Sequence, residues 1–250
     1  MRCGLDSETA GGKSLPAIWM PSKELQDLRA LLRHRHQWVR MRTRIQNALQ
    51  SIALANRLRR GRALWTQAGQ HAIASLPLAP HTAYRRSELQ VMYKKFEAEI
   101  EKLNQRVEEQ ACQRPGARLL MTHPGVGPVT ALATEVFLGD PARFADSKAL
   151  ASYVGMIPRE YSSGPRQRLG GLSKQGNPLL RFLWGEAGAH ASRKDPELRR
   201  FYPSQTKPKR FREGERGRSS QARDPAVGHV AGSDCVQRVL SSWTEAAEEQ

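Results

Sequence analysis

A serine-containing turn among cationic side chains is the part of this sequence that could do covalent chemistry. Ser163 lies in the turn 161–165 (YSSGP), and four cations are close in sequence: Arg159, Arg166, Arg168 and Lys174. A serine hydroxyl becomes a nucleophile when a base removes its proton, and cations stabilise the charge that develops on an attacked phosphate. The local sequence supplies the cations but no base, so the alternative of an ordinary loop stays open.

A glycine turn at 124–128 (PGVGP) precedes this segment and could bind a phosphate. Gly125 and Gly127 permit backbone angles closed to other residues, and Pro128 suits the first turn of a helix predicted over 129–138. We expect the free amides of that first turn, which includes Thr130, to face outward and bind a nucleic-acid phosphate. The pattern is similar to a helix-hairpin-helix; the alternative is a tight turn whose glycines serve packing only.

The charge of the chain predicts a polyanionic partner. The sequence has 40 Lys plus Arg against 24 Asp plus Glu, a formal net charge of +16. Eleven cations lie between Lys23 and Arg62, and we expect Arg35 and Arg42 among them to contact nucleic acid; the alternative is a solvated helix face. Aromatic residues are only 6% of the chain, which argues against a groove that stacks single-stranded bases and favours duplex DNA or structured RNA.

Length and composition exclude several classes of protein. The 250 residues allow one or two domains. No apolar run approaches the roughly twenty residues of a membrane span, and the N-terminus lacks the apolar core of a secretory signal, so we predict a cytoplasmic protein without a membrane partner. The three cysteines are far apart and have no zinc-ligand spacing, so no metal site is predicted in this chain.

Periodicity predicts a mainly α fold. A long basic helix begins after a cap at Ser22, and a break follows over 61–81. Apolar residues then recur at helical steps from Leu89 to Ala111, which predicts either an antiparallel partner or a coiled-coil arm that forms a homo-oligomer. Beyond Pro115 we expect a small helical domain with the helix-hairpin-helix, built from short helices and tight turns, with helices at 129–138, 147–154 and 177–193.

Six motifs occur in one order along the second half of the chain: PGVGPVTA at 124–131, GDP at 139–141 with RF at 143–144, YVG at 153–155, Pro158 with YSSG at 161–164, SKQGN at 173–177, and 195–202 from DP to Tyr202. This set resembles the C-terminal half of transposases of the insertion-sequence one-hundred-ten family, relatives of the Piv DNA invertase. The resemblance extends back to Ile18 and covers roughly four-fifths of the chain.

The resemblance implies a recombinase that acts in DNA transposition. In the family, an N-terminal RuvC-like domain holds Mg²⁺ through four acidic residues, and a serine of the C-terminal domain attacks the DNA backbone. That serine corresponds to Ser163. The resemblance also implies a structured RNA encoded by the element as a partner, and dimers or tetramers formed through the coiled coil.

The sequence departs from the family pattern at both ends. Only seventeen residues precede Ile18, and no acidic set of the family's spacing is found there, so we expect 1–17 to be a remnant or unrelated N-terminus. The predicted domains are 18–115, the basic helix plus coiled-coil arm, and 116–203, the C-terminal transposase domain. Such a copy should bind nucleic acid but cut DNA only if another polypeptide supplies the acidic site; the alternative is a non-catalytic helix-hairpin-helix module.

The last segment, 204–250, is rich in Pro, Ser, Arg and Gly and has no apolar period, which predicts disorder. One choice of codons for 217–237 yields, in a shifted frame, a peptide of helical character. We therefore infer a frameshifted tail in a degenerate copy of the element.

Overall fold

The computed structural model describes residues 19–59, 61–163 and 168–194. In these ranges the chain is mainly helical, which confirms the predicted fold class. The predicted N-terminal remnant, the tail 204–250 and Arg166 lie outside the described residues. The elements are α1 Lys23–Ala55, α2 Gln67–Ala74, α3 Pro80–Gln113, α4 Pro115–Met121, α5 Pro128–Leu138, α6 Ser147–Val154, β1 Pro158–Glu160, β2 Leu169–Leu172 and α7 Pro178–Lys194, with 3-10 turns at Gly61–Trp65 and Pro141–Arg143.

Helices α1 and α3 form an antiparallel pair within one chain. Ser22 caps α1 as predicted, because its Oγ accepts a hydrogen bond from the Leu25 amide at 3.2 Å. Much of the predicted apolar stripe of α3 is buried, and Val107 and Ala111 at its far end are wholly inaccessible. The antiparallel alternative is therefore the one that the structure contains, and formation of a homo-oligomer stays a prediction.

The predicted break over 61–81 is wrong, since it contains a 3-10 turn and helix α2. Leu64 and Ile73 from this segment are fully buried against Leu49 of α1 and Tyr93 of α3. The two short elements cover the open end of the α1–α3 pair, and burial of apolar surface there compensates for a local sequence that favours neither helix nor strand.

The second core surrounds α5. Its residues from Thr130 to Thr134 are all buried, and Trp184 of α7 and Leu32 of α1 pack in the same cluster. Arg114 forms ion pairs with Glu24 and Glu135, and so joins the beginning of α1 to α5. No helix among the described residues is long and apolar enough to cross a bilayer.

The short helices of this domain follow the predicted positions closely. Helix α6 has the predicted bounds, α5 begins one residue earlier than predicted, and α7 begins and ends one residue later. Asn177 precedes α7, and its Oδ1 accepts a hydrogen bond from the Leu179 amide at 2.9 Å, as expected of a cap.

A two-stranded antiparallel hairpin of β1 and β2 lies between α6 and α7, and corrects the expectation of helices and turns alone. Pro158 pairs with Leu172 and Glu160 with Leu169, with an irregularity between them. Strand β1 is exposed throughout and β2 contains two glycines, so neither strand has the alternating pattern that predicts one. Gly170 is needed for close contact, because a Cβ there would lie 2.7 Å from the Tyr161 ring.

Candidate nucleic-acid interface

Ser163 is exposed three residues after β1 ends. Its neighbour Ser162 is held firmly: Oγ of Ser162 donates to Glu160 Oε1 at 2.6 Å and accepts from the Arg168 amide at 3.1 Å. The Tyr161 amide adds a bond to the Arg168 carbonyl at 2.8 Å. The hairpin thus fixes the backbone on the N-terminal side of Ser163.

The hairpin also contains a carboxylate that the sequence analysis missed. Glu160 and Ser162 are two residues apart, and side chains with that spacing lie on the same face of an extended chain. A strand prediction over 158–162 would have placed them together. The carboxylate contacts the Ser162 hydroxyl, and no hydrogen bond joins it to Ser163 among the described residues.

Of the predicted cations that the structure describes, one lies on β1 and two flank β2. Arg159 on β1 donates from Nη2 to the Ser173 carbonyl at 3.1 Å, which holds its head group near the end of β2. Arg168 and Lys174 are exposed. The Lys174 backbone has φ of 55°, a left-handed conformation that is uncommon for a residue with a side chain, and its amide bonds to the Gly155 carbonyl.

The two glycines of the turn between α4 and α5 have different surroundings. Gly125 has φ of +89°, and a Cβ there would lie 2.5 Å from the Ala187 carbonyl oxygen and 2.9 Å from the Ala191 amide. Gly125 therefore lets the turn contact the backbone of α7, as the packing alternative requires. Gly127 is exposed, and a Cβ there would meet nothing within 4 Å.

Thr130 is only 8% exposed, and its carbonyl accepts a hydrogen bond from Thr134 Oγ1 at 2.7 Å. Little of its side chain can therefore reach a phosphate. The surface at the start of α5 is formed instead by Gly127 and, in part, by Pro128 and Val129. Phosphate binding by Gly125, Gly127 and Thr130 stays a prediction.

Arg35 and Arg42 face α3. Arg35 donates from Nε to Asn104 Oδ1 at 2.7 Å, and Arg42 forms an ion pair with Glu97 at 2.8 Å. Burial, reinforced by the nearby Arg42, lowers the pKa of the Arg35 guanidinium from its ordinary value. Both arginines that the sequence analysis selected on this helix are therefore engaged in joining α1 to α3.

A different row of α1 faces the C-terminal domain. Its members are Arg29, Arg33, His36 and Arg40, which are spaced by four, three and four residues and so share one helix face. Arg29 donates to the carbonyls of Val136 and Phe137 at the end of α5. The side chains of Arg33 and Arg40 are exposed and have no hydrogen bond to any other described residue. The helical spacing of the sequence could have predicted this row.

Two cavities lie side by side along this row, and we call them together the arginine groove. The first, of about 480 Å³, is lined by Arg29, Arg33, Phe137, Ser152, Tyr153 and 175–177. The second, of about 490 Å³, is lined by Arg33, His36, Arg40, Asn177, Pro178 and Leu179. Arg33 and Asn177 belong to both, and among the residues that the structure describes no carboxylate lines either.

The loop that forms the far wall of the groove packs tightly on the end of α6. A Cβ at Gly176, where φ is +90°, would lie 2.1 Å from the Tyr153 carbonyl oxygen, and one at Gly155 would lie 1.6 Å from that of Gln175. Arg181 adds hydrogen bonds to the carbonyls of Val154 and Gln175 at 3.1 and 3.0 Å. The wall is therefore well fixed relative to α6 and α7.

His36 is the titratable group of the groove whose charge can change near neutral pH. Its ring lies 5.4 Å from that of Phe182. Burial, and then the positive charges of Arg40 and Arg35, lower the pKa of His36 from its ordinary value, so the free protein holds this imidazole neutral at pH 7.

The amino-acid sequence that forms α4 to α7 is similar to the sequences of known proteins. Residues 117–203 match the Transposase IS116/IS110/IS902 family. This transposase family is the one that the sequence motifs resemble, and the matched segment contains Gly125, Gly127, Ser163 and the cations near it.

Longer relatives carry related names. The chain is 33% identical over 184 residues to "Probable family 20 transposase" of Pseudomonas aeruginosa, a match that covers 70% of the chain and 54% of the relative. It is 29% identical to "Transposase for insertion sequence element IS1111A" of Coxiella burnetii, covering 71% of the chain and 50% of the relative. It is 27% identical to "Transposase for insertion sequence element IS1328" of Yersinia enterocolitica, covering 70% of the chain and 53% of the relative. The chain spans about half the length of these curated relatives.

Proposed function

We propose that this protein acts in DNA transposition as the DNA-binding, serine-containing part of a transposase of the IS116/IS110/IS902 family. The observation that carries the proposal is the family match over 117–203, which includes an exposed Ser163 at the β1–β2 hairpin. The proposed partner is DNA, with an element-encoded structured RNA as a second ligand, and the proposed site of action is the cytoplasm.

The proposed chemistry is a transesterification at Ser163. The Oγ of Ser163 loses its proton to a base and forms a bond to the phosphorus of a DNA phosphodiester, and one P–O bond to a sugar oxygen breaks. That sugar oxygen takes up a proton and leaves as a hydroxyl. Because the number of phosphoester bonds is unchanged, a hydroxyl of another strand can later attack the phosphoserine and release Ser163 with the strands exchanged.

The side chains that we assign to the phosphate are cations of the hairpin and its ends. Arg159, Arg168 and Lys174 would lower the energy of the pentavalent transition state by opposing its negative charge, and Arg166 would add to them. The resemblance implies Mg²⁺, but the described residues contain no group of three or more His, Cys, Asp or Glu that could hold a metal ion. We therefore expect the acidic site to be supplied from outside this part of the chain.

The finer parts of the proposal concern binding and assembly. We assign contact with a DNA phosphate to the exposed start of α5 at Gly127, in the manner of a helix-hairpin-helix, because unpaired amides at a helix start favour anions. Homo-oligomers would form through the α1–α3 arm. This copy of the transposase is proposed to be degenerate, with DNA binding retained and cleavage dependent on an acidic site outside the described residues.

A second candidate function is a non-catalytic nucleic-acid-binding module. The arginine groove favours it, because Arg33 and Arg40 present charge to solvent in a part of the molecule that does not include Ser163. Under this alternative, Ser163 has no role beyond the loop.

The test is formation of a covalent DNA–protein adduct by the full chain, with an acidic N-terminal domain of the family added as a separate polypeptide together with Mg²⁺. Ser163→Ala should abolish the adduct and leave DNA binding unchanged. The matched control is Ser162→Ala, which should keep the adduct and reduce it by about thirtyfold at most, the value of two hydrogen bonds of about 1 kcal/mol each.

Three other results would each contradict part of the proposal. An adduct that persists in Ser163→Ala would exclude Ser163 as the nucleophile. DNA binding without an adduct in any variant would favour the non-catalytic module. Nicking of DNA by the isolated chain with Mg²⁺ would show that no second polypeptide is needed.

A further inference from the structure

The arginine groove contains exposed aromatic rings as well as uncommitted cations. Tyr153 lines the first cavity and is 45% exposed, and its ring is braced edge-on by Phe144 at 5.3 Å. His36 lines the second cavity and lies against Phe182, which is 49% exposed. Each cavity therefore has an aromatic group at its wall or directly behind it.

Arg33 stands where the two cavities meet. Its guanidinium lies 5.3 Å from the centre of the Phe137 ring, a cation–π contact that positions the group and leaves its hydrogen-bond donors unused within the described residues. Arg40 is exposed further along the row, at the second cavity. Guanidinium groups with free donors bind phosphate oxygens in bidentate geometry, so the row offers phosphate sites alternating with rings.

The size of the cavities suits units of a nucleotide. Volumes of about 480 and 490 Å³ lie within the range of roughly 300–1,000 Å³ in which small ligands bind. Because both cavities share Arg33 and Asn177, two successive units of one chain could occupy them. A double helix stacks its bases internally and presents phosphates, whereas an unpaired strand presents both phosphates and base faces.

We propose that the arginine groove is a binding site for a single-stranded segment of nucleic acid, with phosphates on Arg33 and Arg40 and bases against Tyr153 and the His36–Phe182 pair. This inference depends on the proposed function only in taking nucleic acid as the partner. The low aromatic content of the whole chain predicted a duplex instead. For this groove we infer a single strand, because the fold brings together the rings of Tyr153, His36 and Phe182, which are distant in sequence.

The test is fluorescence anisotropy of the full chain with labelled oligonucleotides of about twelve residues: single-stranded DNA, single-stranded RNA of the same sequence, and the DNA duplex. Arg33→Gln/Arg40→Gln should weaken single-strand binding by about tenfold or more and reduce the slope of log K against log salt by about 1.4, the value for two phosphates on a single strand. The matched control is Arg62→Gln/Arg85→Gln, which removes the same charge from exposed positions outside the groove and should keep the slope.

The ring variants separate a single strand from a duplex. Tyr153→Leu and Phe182→Leu should each weaken single-strand binding by about fivefold or more and leave duplex binding within about twofold, because only unpaired bases stack on the rings. Stronger binding of DNA than of RNA, or the reverse, identifies the source of the strand and supports the proposal in either case.

Two outcomes would overturn the proposal. Equal losses in the groove variant and in the charge-matched control would mean that the effect comes from net charge. Equal losses of duplex and single-strand binding in the ring variants would mean that bases do not stack there.

Circular dichroism spectra establish that each variant is folded. Binding is measured without cleavage, so the chemistry assigned to Ser163 can fail while this result stands.

Discussion

Helix α1 carries arginines on two faces, and the two faces differ in their surroundings. On the α3 face, Arg35 and Arg42 each have a polar partner and are half-buried. On the face toward the C-terminal domain, Arg33 and Arg40 are exposed and line the groove. The number of cations in a segment determines its electrostatic field, but the neighbouring elements determine which cations can contact a ligand.

The α3 face also shows why ion pairs alone do not hold the helix in place. The Arg42–Glu97 pair is partly exposed, and such pairs contribute only about 0.2–1 kcal/mol. Apolar contacts contribute more, since a fully buried leucine is worth about 1.5–3 kcal/mol relative to an exposed one. The groove therefore depends on leucines of α1 that anchor it in the domain core.

The largest effect is expected when that anchor is removed. Leu32 is 2% exposed and packs in the core around α5. Leu32→Ala should lower the free energy of unfolding by about 2–5 kcal/mol, since it removes buried methyl groups and leaves a cavity. Chemical denaturation measures the loss. Leu54→Ala, on the same helix where the side chain is 49% exposed, is the control and should change the free energy by less than about 0.5 kcal/mol.

The same contrast between a packed and an open position recurs in the glycine turn. Gly125→Ala should lower the free energy of unfolding by about 1–3 kcal/mol, because it combines a positive φ with a contact of the new Cβ on the backbone of α7. Gly127→Ala meets nothing within 4 Å at an ordinary negative φ, and its stability should change by less than about 0.5 kcal/mol. Equal losses in the two variants would show that the turn does not pack on α7 as described.

The two arginine faces can be separated by a reciprocal pair of variants. Arg35→Gln/Arg42→Gln should lower the free energy of unfolding by about 1–2 kcal/mol, since Asn104 and Glu97 lose their partners, and should leave single-strand affinity within about threefold. Arg33→Gln/Arg40→Gln should weaken single-strand binding and leave the free energy of unfolding nearly unchanged. Denaturation and anisotropy on the same samples measure both properties, and parallel losses in both variants would remove the distinction between the faces.

Much of the helical framework could be predicted from local sequence. The caps at Ser22 and Asn177 and the bounds of α6 depend on short-range hydrogen bonds and on side-chain spacing, which the sequence displays directly. Helix α2 and the β hairpin could not, because both depend on partners distant in sequence: burial of Ile73 against the long helices, and pairing of two exposed strands.

The candidate site was less predictable than the fold for a related reason. Arg35 and Arg42 were selected because they lie in a dense basic run, and the sequence gives no sign that Asn104 and Glu97 would face them. The row that includes Arg33 and Arg40 has helical spacing, so the sequence alone could have predicted that these residues share a face of α1. The proximity of this row to Tyr153 and Phe182 could not be predicted from the sequence, because it depends on how α6 and α7 are placed relative to α1.

The smallest expected effect concerns the protonation of His36. It changes the stability of the free protein and the affinity for a single strand in opposite directions as the pH falls. In the free protein, burial and the charges of Arg40 and Arg35 keep the pKa of His36 below its ordinary value, whereas the unfolded chain restores that value. The folded state therefore binds fewer protons, and the contribution of His36 to stability is lost as the pH falls below about 6.5. A phosphate beside His36 acts in the opposite direction, because it favours the imidazolium and raises the pKa in the complex.

Single-strand affinity should accordingly rise as the pH falls through the pKa of the complex, and level off below the pKa of the free protein. The charged groups near His36 are Arg33, Arg35 and Arg40, while α7 presents Leu179 and Phe182. His36→Gln should remove the contribution of His36 to both pH dependences, and the difference between the profiles of the two proteins isolates that contribution. If affinity of the unmodified protein falls with decreasing pH, no phosphate lies near His36, and the strand does not occupy the second cavity.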